Sequence, residues 1–210
     1  MRALTVFVVS TCLVLSWSST SYAACAPKGV GNAPASQPDK QALNRLKNRT
    51  VLPSGVETMT VEDILALAGH DDKQPHPEDA QLEAKGVVVT GWLLGQKHEG
   101  PESPNCGSST RRDYHMWLGG TKPPPVAKDR MAMRDQAVVV EPTPNMQDRN
   151  QTWIQENITK LVGKHIRIMG WLMFDWEHPE QLGNTRGTLW EVHPVMRIEV
   201  EQPNGTWKKL

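Results

Sequence analysis

Two stretches decide the fold: residues 164–174, KHIRIMGWLMF, and residues 85–94, KGVVVTGWLL. Each is an apolar, β-branched run that passes through a glycine, Gly170 or Gly91, into Trp-Leu. Runs of this length and composition read as strands. A glycine inside a strand permits the sharp bend or bulge that a small, strongly curved sheet needs. Side chains alternate across a strand, so Ile166, Ile168 and Leu172 take the core face, leaving His165, Arg167 and Trp171 opposite. Chance likeness between two Val/Ile-rich strands is the plain alternative to a structural echo.

Three more strands lie around this pair. Asp113 to Leu118 (DYHMWL) alternates, with Tyr114, Met116 and Leu118 inward and Asp113, His115 and Trp117 outward. Gln136 to Glu141 (QAVVVE) is a short buried run, and Thr188 to Val200 (TLWEVHPVMRIEV) puts Glu191 and His193 on one face, Trp190 and Val192 on the other. Between 141 and 164, Ile154, Ile158, Leu161 and Val162 have helical spacing, so a helix is expected over Asn150 to Val162, stopped by Gly163. Three strands, one helix and two strands predict a mainly β chain: a five-stranded OB-like Greek-key barrel with one bridging helix. The helix argues against an all-β sandwich. The stretch KHIRIMGWLMFDWEHPEQLGNTRGTLWEVHPVMRIEV resembles exported, uncharacterised bacterial proteins that look like OB-fold modules. The resemblance covers roughly residues 84–201 and implies a fold and an exported location, with no reaction attached.

The N-terminus, MRALTVFVVSTCLVLSWSSTSYAA, combines Arg2, an apolar stretch and a small-x-small site at Ser21-Tyr22-Ala23, which predicts a signal peptide over residues 1–23 and a periplasmic or secreted product. No stretch of the mature chain reaches the roughly 20 apolar residues of a membrane span. Residues 24–57 read as a flexible tether with a short helix, 58–83 as a helical and loop extension opening on a capping box at Thr60, and 202–210 as a tail. Cys12 falls in the leader. Cys25 and Cys106 are left for a disulfide; a lipid anchor at Cys25, or a free Cys106, are the alternatives.

Lys plus Arg equals Asp plus Glu at 23 each, so nothing favours a nucleic acid through bulk charge. Tryptophan numbers 8 against 2 Tyr and 2 Phe. Trp92, Trp171 and Trp190 are expected in packing, Trp153 as a plug at one barrel end, and Trp117 and Trp176 partly exposed. OB-like barrels bind along their second and third strands and the loops beside them. The binding residues expected here are therefore Arg111, Arg112, His115, Trp117, Trp176, His178, Arg186, Glu191 and His193. They point to a non-enzymatic module for an unidentified ligand or envelope partner, such as a glycan, a peptide, an envelope protein or a nucleic acid. The second reading is a metal-binding protein or metal-dependent hydrolase using His115, Glu141, His178, Glu191 and His193, whose nitrogen and oxygen donors suit zinc, copper or nickel. No metal motif spacing, acidic-arginine nuclease signature or nucleophile elbow accompanies them, and the cofactor stays unassigned.

Overall fold

A computed structural model describes residues 25–27, 29 and 37–210. The expected leader, residues 1–23, and residues 24, 28 and 30–36 of the tether lie outside the described residues.

Among the described residues the chain is mainly β, with seven strands in one sheet. These are β1 (Val56–Thr60), β2 (Gly86–His98), β3 (Tyr114–Gly119), β4 (Ala137–Val140), β5 (His165–Phe174), β6 (Trp190–Glu201) and β7 (Trp207–Lys209). Five are the runs read from the sequence. β2 pairs antiparallel with both β3 and β5, β3 with β4, and β5 with β6, whereas β4 and β6 run parallel. The pairings thus lead from β2 through β3, β4, β6 and β5 back to β2. The inward residues of these strands, among them Val89, Met116, Val140, Ile168 and Val192, form one buried apolar cluster, closed by Phe174 and Trp190.

The alternation rule holds along β3, β4 and β5, but in β6 the consecutive Val195 and Met196 both reach the core, and the bends differ from expectation. β5 has its irregularity at Gly170. A Cβ there would come 2.5 Å from the carbonyl oxygen of Pro194, so no larger residue fits without a shift. In β2 the register slips between Leu93 and Gly95 rather than at Gly91. Gly91 instead lets the next strand approach, since a Cβ would lie 2.8 Å from the Gly119 carbonyl.

The single helix expected over 150–162 is replaced by α5 (Pro144–Arg149) and α6 (Gln155–Thr159), following α1 (Pro38–Lys47), α2 (Val61–Leu65), α3 (Ala80–Glu83) and α4 (Ala127–Met131). The break turns Trp153 into the core, where it is fully buried, while Ile154 faces solvent. Burying a whole indole outweighs a few continued helical hydrogen bonds. The expected capping box is present at α2: the Asp63 amide donates to Thr60 Oγ1 at 3.0 Å and the Thr60 amide to Asp63 Oδ2 at 2.8 Å.

Two strands were not expected. β1 is mostly exposed and pairs parallel with the first half of β2, so its signal is backbone pairing rather than apolar alternation. The tail is not frayed: β7 folds back on β6 through Asn204-Gly205, with Gly205 at φ 78°, the Asn-Gly pairing that favours tight hairpins. No helix among the described residues is long and apolar enough to cross a membrane.

Candidate functional site

Strand register builds the site. β3, β4 and β6 lie side by side, and their outward face carries Asp113, His115 and Trp117, then Ala137, Val139 and Glu141, then Glu191 and His193. Trp117 stands opposite Val139, and Val139 beside Glu191. Two residues further along β4's direction, the same register places Glu141 between His115 and His193. The side chains follow. His115 Nδ1 lies 2.7 Å from Glu141 Oε1 and 2.7 Å from Glu99 Oε1. His193 Nδ1 lies 3.2 Å from Glu141 Oε2 and 3.0 Å from Glu191 Oε1.

The second nitrogen of each imidazole is free of hydrogen bonds. His193 Nε2 faces Asp113 Oδ2 at 3.5 Å, and neither atom has a hydrogen-bond partner although both are buried. His115 Nε2 is likewise buried and unpartnered. Asp113 is fixed through its other oxygen, which accepts from Asn105 Nδ2 at 3.0 Å. Two donor sets result, Glu99–His115–Glu141 and Asp113–Glu141–His193, each with ligand atoms within 4.8 Å of one another. Glu141 belongs to both.

Further buried charges flank them. Arg186 Nη1 donates to Asp175 Oδ2 at 2.9 Å and to Glu191 Oε2 at 3.3 Å, and Asp175 Oδ2 also bonds His178 Nδ1 at 2.8 Å. Burial opposes the charged form of His193, but Asp113, Glu191 and Glu141 overcome it and push its pKa up to about 10. His115 is raised in the same way by Glu141 and Glu99 against its burial. Burial would raise Glu141, yet His115, His193 and Lys47 hold it down to about 2. Glu102, whose burial dominates, is pushed up to about 7. Asp175 lies far below its ordinary value because Lys47, His178 and Arg186 outweigh its burial. In a low dielectric, charges persist only when paired in this way.

The cover over this cluster comes from the segment read as a tether. Cys25 and Cys106 are joined in a disulfide, Cα to Cα 5.8 Å, across 81 residues of sequence. That bond engages the sulfur a lipid anchor would alkylate. Asn48 Nδ2 donates to the carbonyls of Pro104 (2.8 Å) and Pro27 (3.3 Å), so α1 is seated on the 99–112 loop. Lys47, in the last turn of α1, is buried against the cluster and raised well above its ordinary pKa, its desolvation outweighed by Asp175, Glu102 and Glu191. Beneath it lies a cavity of about 40 Å³, lined by Lys47, Glu102, His115, Glu141, Asp175 and Arg186 among others. It has room for an ion or one water, each water occupying ~30 Å³ in the liquid.

Several expected positions fall elsewhere. Trp117, expected partly exposed, is 3% exposed and donates its indole N–H to the Thr185 carbonyl at 2.7 Å. Arg186, expected as a binding residue, is 2% exposed, its guanidinium turned onto Asp175 and Glu191. Arg111 is tied to Asp148 through both Nη atoms, at 3.0 and 2.7 Å. The carbonyl of Arg112 accepts from Gln147 at 2.9 Å. Trp176 is partly exposed as expected, with its buried part packed against the core. An exposed aromatic and arginine stacking face is therefore not assembled from these residues. His178 serves Asp175 rather than either donor set. Of the packing tryptophans, Trp190 is fully buried and Trp92 and Trp171 half-buried.

Sequence reading missed Lys47, Glu99 and Glu102. They sit in loops or at a helix end, where no periodicity marks a charged residue that will be buried. Comparison of the chain with models of protein families, with curated proteins and with solved structures finds no match.

Proposed function

We propose that this chain is an exported binding module of OB-like fold whose ligand is a divalent transition-metal ion, held by Asp113 and His193 beside Glu141. The observation that carries this reading is the pair Asp113 Oδ2 and His193 Nε2. Both atoms are buried and pair across 3.5 Å with no hydrogen-bond partner, a separation too long for a good hydrogen bond. Two ligands of a tetrahedral ion with bonds of about 2.0–2.2 Å lie ~3.3–3.6 Å apart. His193 also carries the supporting bond that metal-ligating imidazoles show, its Nδ1 directed at a carboxylate, Glu191. Imidazole with carboxylate donors favours zinc, copper or nickel over calcium or magnesium.

The cavity of about 40 Å³ lined by His115, Glu141 and Glu191 has room for an ion beside this pair. The circuit of pairings β2–β3–β4–β6–β5–β2, with β4 and β6 parallel, supports the OB-like barrel. The leader-like N-terminus and the Cys25–Cys106 bond support export.

Elemental analysis of untagged protein purified from the periplasm tests the reading. About one equivalent of metal is expected in the wild type and none at this site in Asp113→Asn or His193→Gln, with circular dichroism checking that both variants fold. Equal metal content in wild type and both folded variants overturns it.

A further inference from the structure

A second cavity, of about 290 Å³, lies against the outward face of β3, walled by Lys97, His115, Trp117, Arg134, Gln181 and Asn184 among others. Arg134 is the residue that gives it a character. It sits in the 3₁₀ turn Ala132–Gln136, and its neighbours Met131 and Met133 anchor the segment on Leu94, Trp117, Ala137 and Val139. Arg134 Nε donates to the Met131 carbonyl at 2.7 Å, and the guanidinium carbon lies 5.4 Å from the centre of the Trp117 ring. The side chain is thus held in place by a hydrogen bond and a cation–π contact. Its two Nη groups nevertheless have no carboxylate partner among the described residues.

The rest of the wall is compatible with negative charge. Lys97 Nζ stands 6.0 Å from the same indole and keeps Glu99 as its partner at 2.9 Å. The acidic residue of the wall, Glu180, is paired with Lys73 at 3.1 Å. His115 divides this cavity from the smaller one beside the metal ligands and lines both. Its Nδ1 is engaged by Glu99 and Glu141, which line the smaller cavity, and its Nε2 is buried without a partner.

We propose that this cavity binds a small organic anion, a carboxylate or a phosphate monoester, through the unspent Nη edge of Arg134, with Lys97 adding charge and Gln181 and Asn184 offering their side-chain amides. A guanidinium presents a planar fork that matches two oxygens of either group. Because this one is already oriented, binding costs little side-chain freedom. The volume is at the low end of small-molecule pockets, ~300–1,000 Å³, which limits the ligand to a compact one. The site uses none of Asp113, Glu141 and His193, so it stands apart from the metal centre.

Calorimetric titration of the full-length mature protein, its disulfide intact, with inorganic phosphate and with succinate at constant ionic strength tests the site. Saturable binding of at least one of them, at one equivalent, is expected; which one binds tells phosphate from carboxylate. Arg134→Gln should weaken it at least ~10-fold, the loss of a charge-assisted contact. Asn184→Asp, at an exposed position, adds a repelling charge and should weaken it as well, with an unchanged thermal midpoint certifying both variants. Lys160→Gln, at the exposed pair with Glu156, and Asp113→Asn should leave it unchanged. Absence of saturable binding by either anion, or wild-type affinity in both Arg134→Gln and Asn184→Asp, overturns the proposal. An equal loss in Lys160→Gln overturns it in favour of bulk charge, and a loss in Asp113→Asn alone moves the anion to the metal centre.

Discussion

His193 Nε2 and Asp113 Oδ2 face each other across 3.5 Å in a part of the protein that solvent does not reach. On its other side the same imidazole is held by Glu191 at 3.0 Å and by Glu141 at 3.2 Å. The ring is thus fixed in orientation while its remaining nitrogen faces a carboxylate oxygen at ion-pair distance, beyond a good hydrogen bond. Three strands set this arrangement, and their register cannot slip without exposing the apolar residues on the opposite face.

Three groups shape the pH dependence of the metal-free protein. His193 titrates at about 10 when folded, above its ordinary 6.5. Its contribution to stability is whole below 6.5 and is lost as pH rises through 10. Glu141 sits at about 2, below its ordinary 4.5; its contribution is present above 4.5 and lost as pH falls through 2. Glu102, pushed up from 4.5 to about 7, adds a loss as pH rises from 4.5 through 7, so urea midpoints should be highest near 4.5 and decline on either side. A metal at His193 displaces its proton, so affinity should rise about tenfold per pH unit below 10. A pH-independent affinity places the ion elsewhere.

Breaking the charge network from one side should be costly. Glu141→Gln removes the counter-charge shared by His115 and His193, and Arg186→Met removes the buried cation that bridges Asp175 and Glu191. Each substitution is expected to destabilise the metal-free fold by about 3–5 kcal/mol, the range for a buried pair that loses one partner. The exposed pair Lys85–Glu57, at 2.9 Å, is the control; its removal should barely move the urea midpoint.

Reduction of Cys25–Cys106 should loosen the cover. The bond closes a long loop, so its loss is expected to cost about 2–5 kcal/mol, read from urea unfolding with and without reductant or in Cys106→Ser. It also frees the segment that carries α1 and Lys47. Metal exchange from the buried centre should accelerate in the reduced protein, and an unchanged exchange rate would separate the disulfide from the site.

Much of this was legible before any coordinates. The faces of β3 and β6 follow from alternation, so Asp113, His115, Glu191 and His193 could be assigned a common side of the sheet from residue order alone. Their meeting could not, because it rests on which strands are neighbours and in what register. Glu141 was readable as a strand end, but its place between two imidazoles depends on the parallel pairing of β4 with β6. The reading of Arg186 and Trp117 failed for one reason: a loop rich in Gly, Asn and Thr gives no sign that it folds back over charge. Lys47 ends a helix with little apolar surface, and its burial depends on a disulfide 81 residues long in sequence separation. The break at Trp153 is a tertiary effect, since local spacing alone favours a continuous helix.

The most direct test is a crystal structure of protein loaded with Zn²⁺, with data collected at the zinc absorption edge. An anomalous peak about 2.0–2.2 Å from both His193 Nε2 and Asp113 Oδ2 is the expected result. Zinc-soaked crystals with no peak between these atoms, and with the two closed into a direct hydrogen bond, would contradict the metal centre and leave the cluster a self-compensated ion network.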